Sequence, residues 1–282
     1  MSLPSITPEL RLWVLDQVRA NFPPEVVLEA MRESGWDADT AVAAYAEVVA
    51  GQAGTPSAAG PSTLLKVPDP LPSGARVTLW AGDRDVDVIV SLTDPRIVVF
   101  GNLLSHAECD EIVALARTRL ARSETVEIAT GATEVNDART SDGMFFERGE
   151  TAICERLELR IAALLNWPVE NGEGLQVLHY APGAEYKPHY DYFDPDQPGT
   201  PAILLRGGQR VASLVCYLNT PTLGGETIFP DVSLLVAPLK GNAVFFSYDR
   251  PHPATKSLHG GMPVVEGEKW VATKWLRERR FD

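Results

Sequence analysis

With 282 residues, 45% of them hydrophobic, the chain has apolar material for one large domain and a small one. Its 25 Lys and Arg against 38 Asp and Glu leave a formal net charge of −13, which excludes phosphate backbones and anionic membrane surfaces as general partners. Cys109, Cys154 and Cys216 lie far apart, form no CxxC pair and are odd in number, which excludes a disulfide framework and predicts reduced core thiols.

The N-terminus lacks a basic segment followed by an apolar run, and no stretch approaches the roughly 18 apolar residues of a membrane span, so the expected location is the cytoplasm. Leu10, Trp13, Val14 and Val18, then Val26, Val27, Ala30 and Met31, then Ala41, Ala44, Tyr45 and Val48 carry helical spacing. Breaks at Phe22-Pro23-Pro24 and at Ser34-Gly35-Trp36-Asp37 divide them into three short helices, with Asp37 or Asp39 as cap of the third. Residues 1–50 are therefore expected to form a three-helix bundle. In length and in its Met31 to Gly35 turn it resembles ubiquitin-associated bundles, which implies a protein partner; a plain docking or stabilising appendage is the other reading. Residues 51–62, GQAGTPSAAGPS, have the composition of a flexible linker, which leaves 63–282 as the large domain.

From Arg76 the texture turns to strands, VTLWAG, VDVIVSL and RIVVF, followed by a helix from Ser105 to Leu120 with Ser105 as cap and Glu108 three residues on. A second helix is predicted over Thr151 to Leu165. After Gly174 the runs LQVLHYA, RVASLVCYLN, GETIFP, NAVFFSY and KWVATKWLRE are separated by Gly and Pro. Many short strands with turns between them predict an α+β protein: a barrel or jelly roll with flanking helices, plus the bundle.

In EYKPHYDYFDPD, His189 and Asp191 stand two apart, so a strand would project both side chains from one face toward one metal. A second histidine completing the set would give two imidazoles and a carboxylate with open positions opposite, the arrangement of a non-haem iron(II) oxygenase. Near the C-terminus His259 precedes Lys269 by ten residues and Lys269 precedes Trp275 by six. On a strand Lys269, Val271, Thr273 and Trp275 share a face, which places an ammonium inside the barrel. That is costly unless an anion such as a 2-oxoglutarate carboxylate neutralises it, or unless the lysine snorkels out at the rim.

With ECDEIVALA, RTS at Arg139 to Ser141, LQVLHYAPGAEYKPHYD, GQRVASLVCYLN, GGETIFP and HPATKSLHGG added, residues from about Pro95 to Arg279 resemble the catalytic domain of prolyl 4-hydroxylases. These belong to the iron(II) and 2-oxoglutarate dioxygenases, whose fold is a double-stranded β-helix. The resemblance implies His189, Asp191 and His259 as iron ligands, and Lys269, Tyr180 and Thr227 as contacts to 2-oxoglutarate. It implies Trp275 as a lining of the cavity and Tyr186 and Arg210 on the substrate side. It further implies oxygen as co-substrate, ascorbate in support, and hydroxylation of peptidyl proline or another protein residue with decarboxylation of 2-oxoglutarate to succinate. Retention of Asp191 favours hydroxylation over the halogenation of related enzymes that lack the carboxylate. His106 and His179 are expected to be structural.

The sequence departs from the family in two places. Arg277 stands where a histidine is usual, eight residues after Lys269, and His252 is an additional histidine beside the distal ligand. Arg277 is expected either to turn a guanidinium into the cavity toward a substrate carboxylate, or to fray into solvent with Arg279 and Arg280. The competing functions are a hydroxylase of a free amino acid or small metabolite, and a metal-binding barrel or zinc hydrolase with Glu226 as its base.

Overall fold

The computed structural model describes residue 14 and residues 24–33, 37–38, 40–46, 64–71, 76–122, 125–126, 133–134 and 139–282. The chain divides into two compact units, Met1–Thr63 and Leu64–Asp282. In the first, α1 (Pro24–Glu33) and a helical stretch over 40–46 are described. Val14, Val27, Met31, Ala41 and Ala44 form one buried apolar cluster. Asp37 caps the second stretch, its Oδ1 accepting from the Thr40 N–H at 2.9 Å. The expected first helix apart from Val14, and the expected linker at 51–62, lie outside the described residues.

The second unit runs through β1 (Thr78–Trp80), β2 (Asp85–Leu92), β3 (Arg96–Gly101), α2 (His106–Arg117), the two-residue strands β4 (Ala121–Arg122), β5 (Thr125–Val126) and β6 (Thr133–Glu134), then β7 (Asp142–Phe146) and α3 (Ala152–Leu165). It continues through β8 (Gly172–Tyr180), β9 (Tyr186–His189), the short helix α4 (Thr200–Leu204), β10 (Arg210–Tyr217), β11 (Leu223–Gly224), β12 (Thr227–Phe229) and β13 (Leu234–Val236). The last strands are β14 (Ala243–Ser247), β15 (His259–Gly261), β16 (Val264–Glu266) and β17 (Lys269–Arg277). All recorded pairings are antiparallel. The large sheet has the order β1-β2-β3-β14-β10-β17-β8-β7-β4 and the smaller one β13-β12-β15-β9.

Ile97, Leu178, Tyr217, Phe246 and Val271 of the large sheet pack against Phe229 and Val236 of the small one. The two sheets therefore face each other, as in a jelly roll. On the outer face of the large sheet α2 contributes Cys109, Ile112 and Ala116, and α3 contributes Cys154, Leu157, Ile161 and Leu165, to the main core. All three cysteines are free and buried there.

The helix starts follow local chemistry. Ser105 Oγ accepts from the Glu108 N–H at 3.2 Å while Glu108 Oε2 accepts from the Ser105 N–H at 2.8 Å, a reciprocal cap that contributes about 1 kcal/mol. Burial alone would raise the Glu108 carboxyl, but Arg160 of α3 and the Ser105 N–H hold it at about 2. α3 starts at the Thr151 cap and ends at Asn166, whose left-handed φ of 48° suits asparagine.

β17 is central, and all nine of its residues are buried. Trp270, Ala272 and Leu276 face the helix side, in the core under α2 and α3, whereas Val271 faces the small sheet. Lys274, on the helix side, is buried against Glu158 of α3 in an ion pair whose side chains are each 2% exposed. Its stem passes over Gly172, where a Cβ would lie 2.5 Å from Lys274 Cε.

Candidate active site

β9 pairs with β15 so that His189 stands directly opposite His259, with ring centroids 4.4 Å apart. Asp191 lies in the bend beyond the end of β9, so strand parity, expected to align both residues of the pair, acts on His189 alone. The bend nevertheless brings the carboxylate in: Oδ1 is 3.5 Å from His189 Nε2 and Oδ2 is 3.5 Å from His259 Nε2. The three side chains offer ligand atoms within 4.8 Å of one another, and among the described residues no other group of His, Cys, Asp and Glu does so.

The imidazoles are fixed from behind. His189 Nδ1 donates to the Lys187 carbonyl at 2.9 Å and His259 Nδ1 to the Ser257 carbonyl at 3.0 Å, since a carbonyl can only accept. Each Nε2 is then left with a lone pair for an ion. Burial lowers His259 to about 4, against the pull of Asp191, so the ring is neutral at neutral pH, as a ligand must be. For Asp191 burial acts upward, yet His259 and His189 together hold the carboxyl well below its usual range. Two imidazoles and a carboxylate are the donor set that suits iron(II) and leaves positions open for other ligands.

Lys269 begins β17 opposite Tyr180 of β8, with Nζ 5.5 Å from the Tyr180 ring centroid and 5.9 Å from that of Tyr217. It is 3% exposed, and burial lowers it to about 8, partly opposed by the charge of Glu226. Among the described residues Lys269 has no ion-pair partner. Two glycines shape its channel: a Cβ on Gly225 would lie 3.2 Å from Lys269 Cδ, and one on Gly261 3.7 Å from Nζ. An unpaired, buried ammonium fits a carboxylate of a small anion. Glu226, the base that a hydrolase would need, is absent from the ligand cluster.

Tyr180 is 5% exposed and its hydroxyl bonds to no described residue. Thr227 of β12 is buried, with Oγ1 accepting from the Tyr217 hydroxyl at 2.8 Å. Sequence reasoning missed Tyr217, although it shares a face of β10 with Ser213 and strand parity alone could have found it. His179, of opposite parity to Tyr180, faces away and meets Glu268 Oε2 at 2.8 Å. His252 is exposed, outside the cluster, and accepts from the Ala254 N–H through Nδ1 at 3.0 Å. His106 is the first residue of α2.

The expected substrate side divides in two. Tyr186 stacks on His189 with centroids 3.7 Å apart, is backed by Arg139 at 4.8 Å, and has its phenol raised by burial to about 12. Arg210 lies 3.9 Å over the Trp275 ring and grips Glu173 with Nε at 2.7 Å and Nη2 at 2.9 Å. The buried Trp275 indole N–H has no hydrogen-bond partner among the described residues.

Arg277 corrects the expectation that it frays. It does not fray into solvent: the side chain is 2% exposed, pairs with the Glu173 that Arg210 also holds, at 3.2 Å, and donates to the carbonyls of Ile203 and Arg206. Its own carbonyl accepts from the Trp167 indole at 3.0 Å. Arg277 thus ties the end of β17 to the segment around α4. Arg277→Ala is expected to lower stability by about 3 to 5 kcal/mol in denaturant unfolding, the range for removing one partner of a buried pair, with the order of preference among peptide substrates unchanged. A preference switched away from acidic peptides would return it to the substrate ligands.

Comparison with known proteins agrees with this geometry. Residues 175–277 match the model of the 2OG-Fe(II) oxygenase superfamily. The chain is 40% identical over 221 residues to prolyl 4-hydroxylase 5 of Arabidopsis thaliana, covering 71% of this chain and 74% of the relative. It is also 40% identical over 229 residues to prolyl 4-hydroxylase 1 of the same plant, covering 72% and 79%. Among solved structures it is similar to the 2-oxoglutarate complex of a viral collagen prolyl hydroxylase from Paramecium Bursaria Chlorella virus-1, with 30% identity, a TM-score of 0.50, and coverage of 64% of this chain and 95% of that one. The chain belongs to the prolyl 4-hydroxylase family of iron(II)- and 2-oxoglutarate-dependent dioxygenases.

Proposed function

We propose that the protein hydroxylates proline within a peptide or protein, with His189, Asp191 and His259 holding iron(II) and Lys269, Tyr180 and Thr227 holding 2-oxoglutarate. The ion and its co-substrate supply oxygen activation coupled to decarboxylation of 2-oxoglutarate to succinate. The protein contributes position. Lys269 neutralises the distal carboxylate, the free Tyr180 hydroxyl donates to it, and Tyr186 and Trp275 wall the space beside the ion.

The observation that carries the peptide reading is the 40% identity to proteins named prolyl 4-hydroxylases, over 74% and 79% of their lengths. Ascorbate is assigned a supporting role. Residues 1–50 are assigned as a three-helix bundle that docks a protein partner, supported by the buried cluster of Val14, Val27, Met31, Ala41 and Ala44. A cytoplasmic location is supported by three free cysteines; no helix among the described residues is long and apolar enough to cross a membrane.

The test is mass spectrometry of proline-repeat peptides, acidic peptides and free amino acids incubated with protein, iron(II), ascorbate and 2-oxoglutarate. One oxygen is expected on proline in the repeat peptides, with equimolar succinate and free proline untouched. Oxygen on free amino acids alone would replace the peptide reading with that of a metabolite hydroxylase.

A further inference from the structure

Two hydroxyls beside the metal ligands have no part in the chemistry described so far. Ser213, fully buried in β10, pairs across the sheet with Phe246 of β14, and Tyr248 follows Phe246 by two residues. Both hydroxyls therefore lie on the face of the large sheet that carries Phe246, whose ring is 4.4 Å from that of His259. Ser213 Oγ is 2.5 Å from Asp191 Oδ2 and 3.0 Å from the Tyr248 hydroxyl.

The direction of these bonds follows from proton count. A carboxylate only accepts, so the one proton of Ser213 goes to Asp191, and Tyr248 must donate to Ser213. Burial keeps the Tyr248 phenol protonated, with its pKa well above the ordinary value. The row runs one way, Tyr248 to Ser213 to Asp191, each bond polarising the next. Oδ2 is engaged by it while lying 3.5 Å from His259 Nε2, and Oδ1, 3.5 Å from His189 Nε2, stands outside the row.

We infer that Ser213, oriented by Tyr248, is a positioning residue that restricts Asp191 to one-oxygen coordination of the ion, which keeps three positions open for a chelating co-substrate and oxygen. Without the serine bond the carboxylate can close on the ion with both oxygens and remove one of those positions. Hydrogen bonds to ligating carboxylates are a general means of fixing such ligands. The inference rests on the placement of the ion at His189, Asp191 and His259.

Cobalt(II) is the probe, because its visible absorption reports coordination number. The parent protein, Ser213→Ala and Tyr248→Phe, each checked for folding by circular dichroism, are titrated with cobalt(II) with and without 2-oxoglutarate. In Ser213→Ala the cobalt(II) Kd is expected to rise about ten- to hundredfold, and the spectrum and its response to 2-oxoglutarate are expected to change. Tyr248→Phe should shift both in the same direction by a smaller factor. A parent-like spectrum in Ser213→Ala, whatever its affinity, overturns the inference. If Ser213→Ala does not fold, Tyr248→Phe decides alone, and parent-like values there overturn it. A parent protein that binds no cobalt(II) would instead overturn the site assignment beneath it.

Discussion

Alanine in place of His189, Asp191 or His259 will abolish 2-oxoglutarate turnover, whereas His252→Ala will keep both iron and turnover. The three ligand atoms stand within 4.8 Å of one another, each braced by its own backbone or hydroxyl contact, so removing one leaves an ion held by two groups in a cage built for three. His252 is exposed and its Nδ1 is already occupied with the Ala254 N–H at 3.0 Å. Succinate release and metal content after dialysis, measured on all four variants, check this. Iron lost from His252→Ala but kept by His259→Ala would move the distal ligand.

Lys269→Ala will weaken 2-oxoglutarate binding roughly ten- to hundredfold while leaving iron affinity close to that of the parent. A buried charge-assisted contact to a carboxylate contributes about 1.5 to 3 kcal/mol, which converts to that range. The pH dependence has a definite sign. Burial lowers Lys269 to about 8 in the ligand-free protein, and only the protonated ammonium neutralises the anion. As pH rises past about 8, binding must take up a proton, and affinity falls by up to about tenfold per pH unit. Below that pH the lysine is already charged and this dependence vanishes. Isothermal titration at two pH values on either side of 8, in parent and Lys269→Ala, separates the effects: the mutant should lose the alkaline slope along with the affinity. A slope that survives in the mutant would assign the proton elsewhere.

The parts of the site legible in the sequence are those set by strand period. Lys269, Val271 and Trp275 against Trp270 and Lys274, and Tyr180 against His179, fall on the faces that period two demands, because β8 and β17 pair in register over most of their length. Asp191 was identified by spacing, but its strand-face explanation failed because the strand ends at His189. The fate of Arg277 was not legible, since its partners Glu173, Ile203 and Arg206 lie 71 to 104 residues away. Ser213 and Tyr248 were equally hidden: a serine and a tyrosine in apolar strands read as packing until the sheet brings them to the carboxylate.

The double-sided burial of β17 has a consequence for length variation. Its two lysines, five residues apart, answer to different neighbours: Lys269 stands in the space between the sheets, and Lys274 is matched to Glu158 under the helices. An inserted or deleted residue between them would rotate one past the other, stranding an ammonium among Trp270, Ala272 and Leu276 or withdrawing it from the anion. The stretch from Lys269 to Lys274 therefore behaves as a ruler of fixed count, and a change in chain length would have to be accommodated outside it.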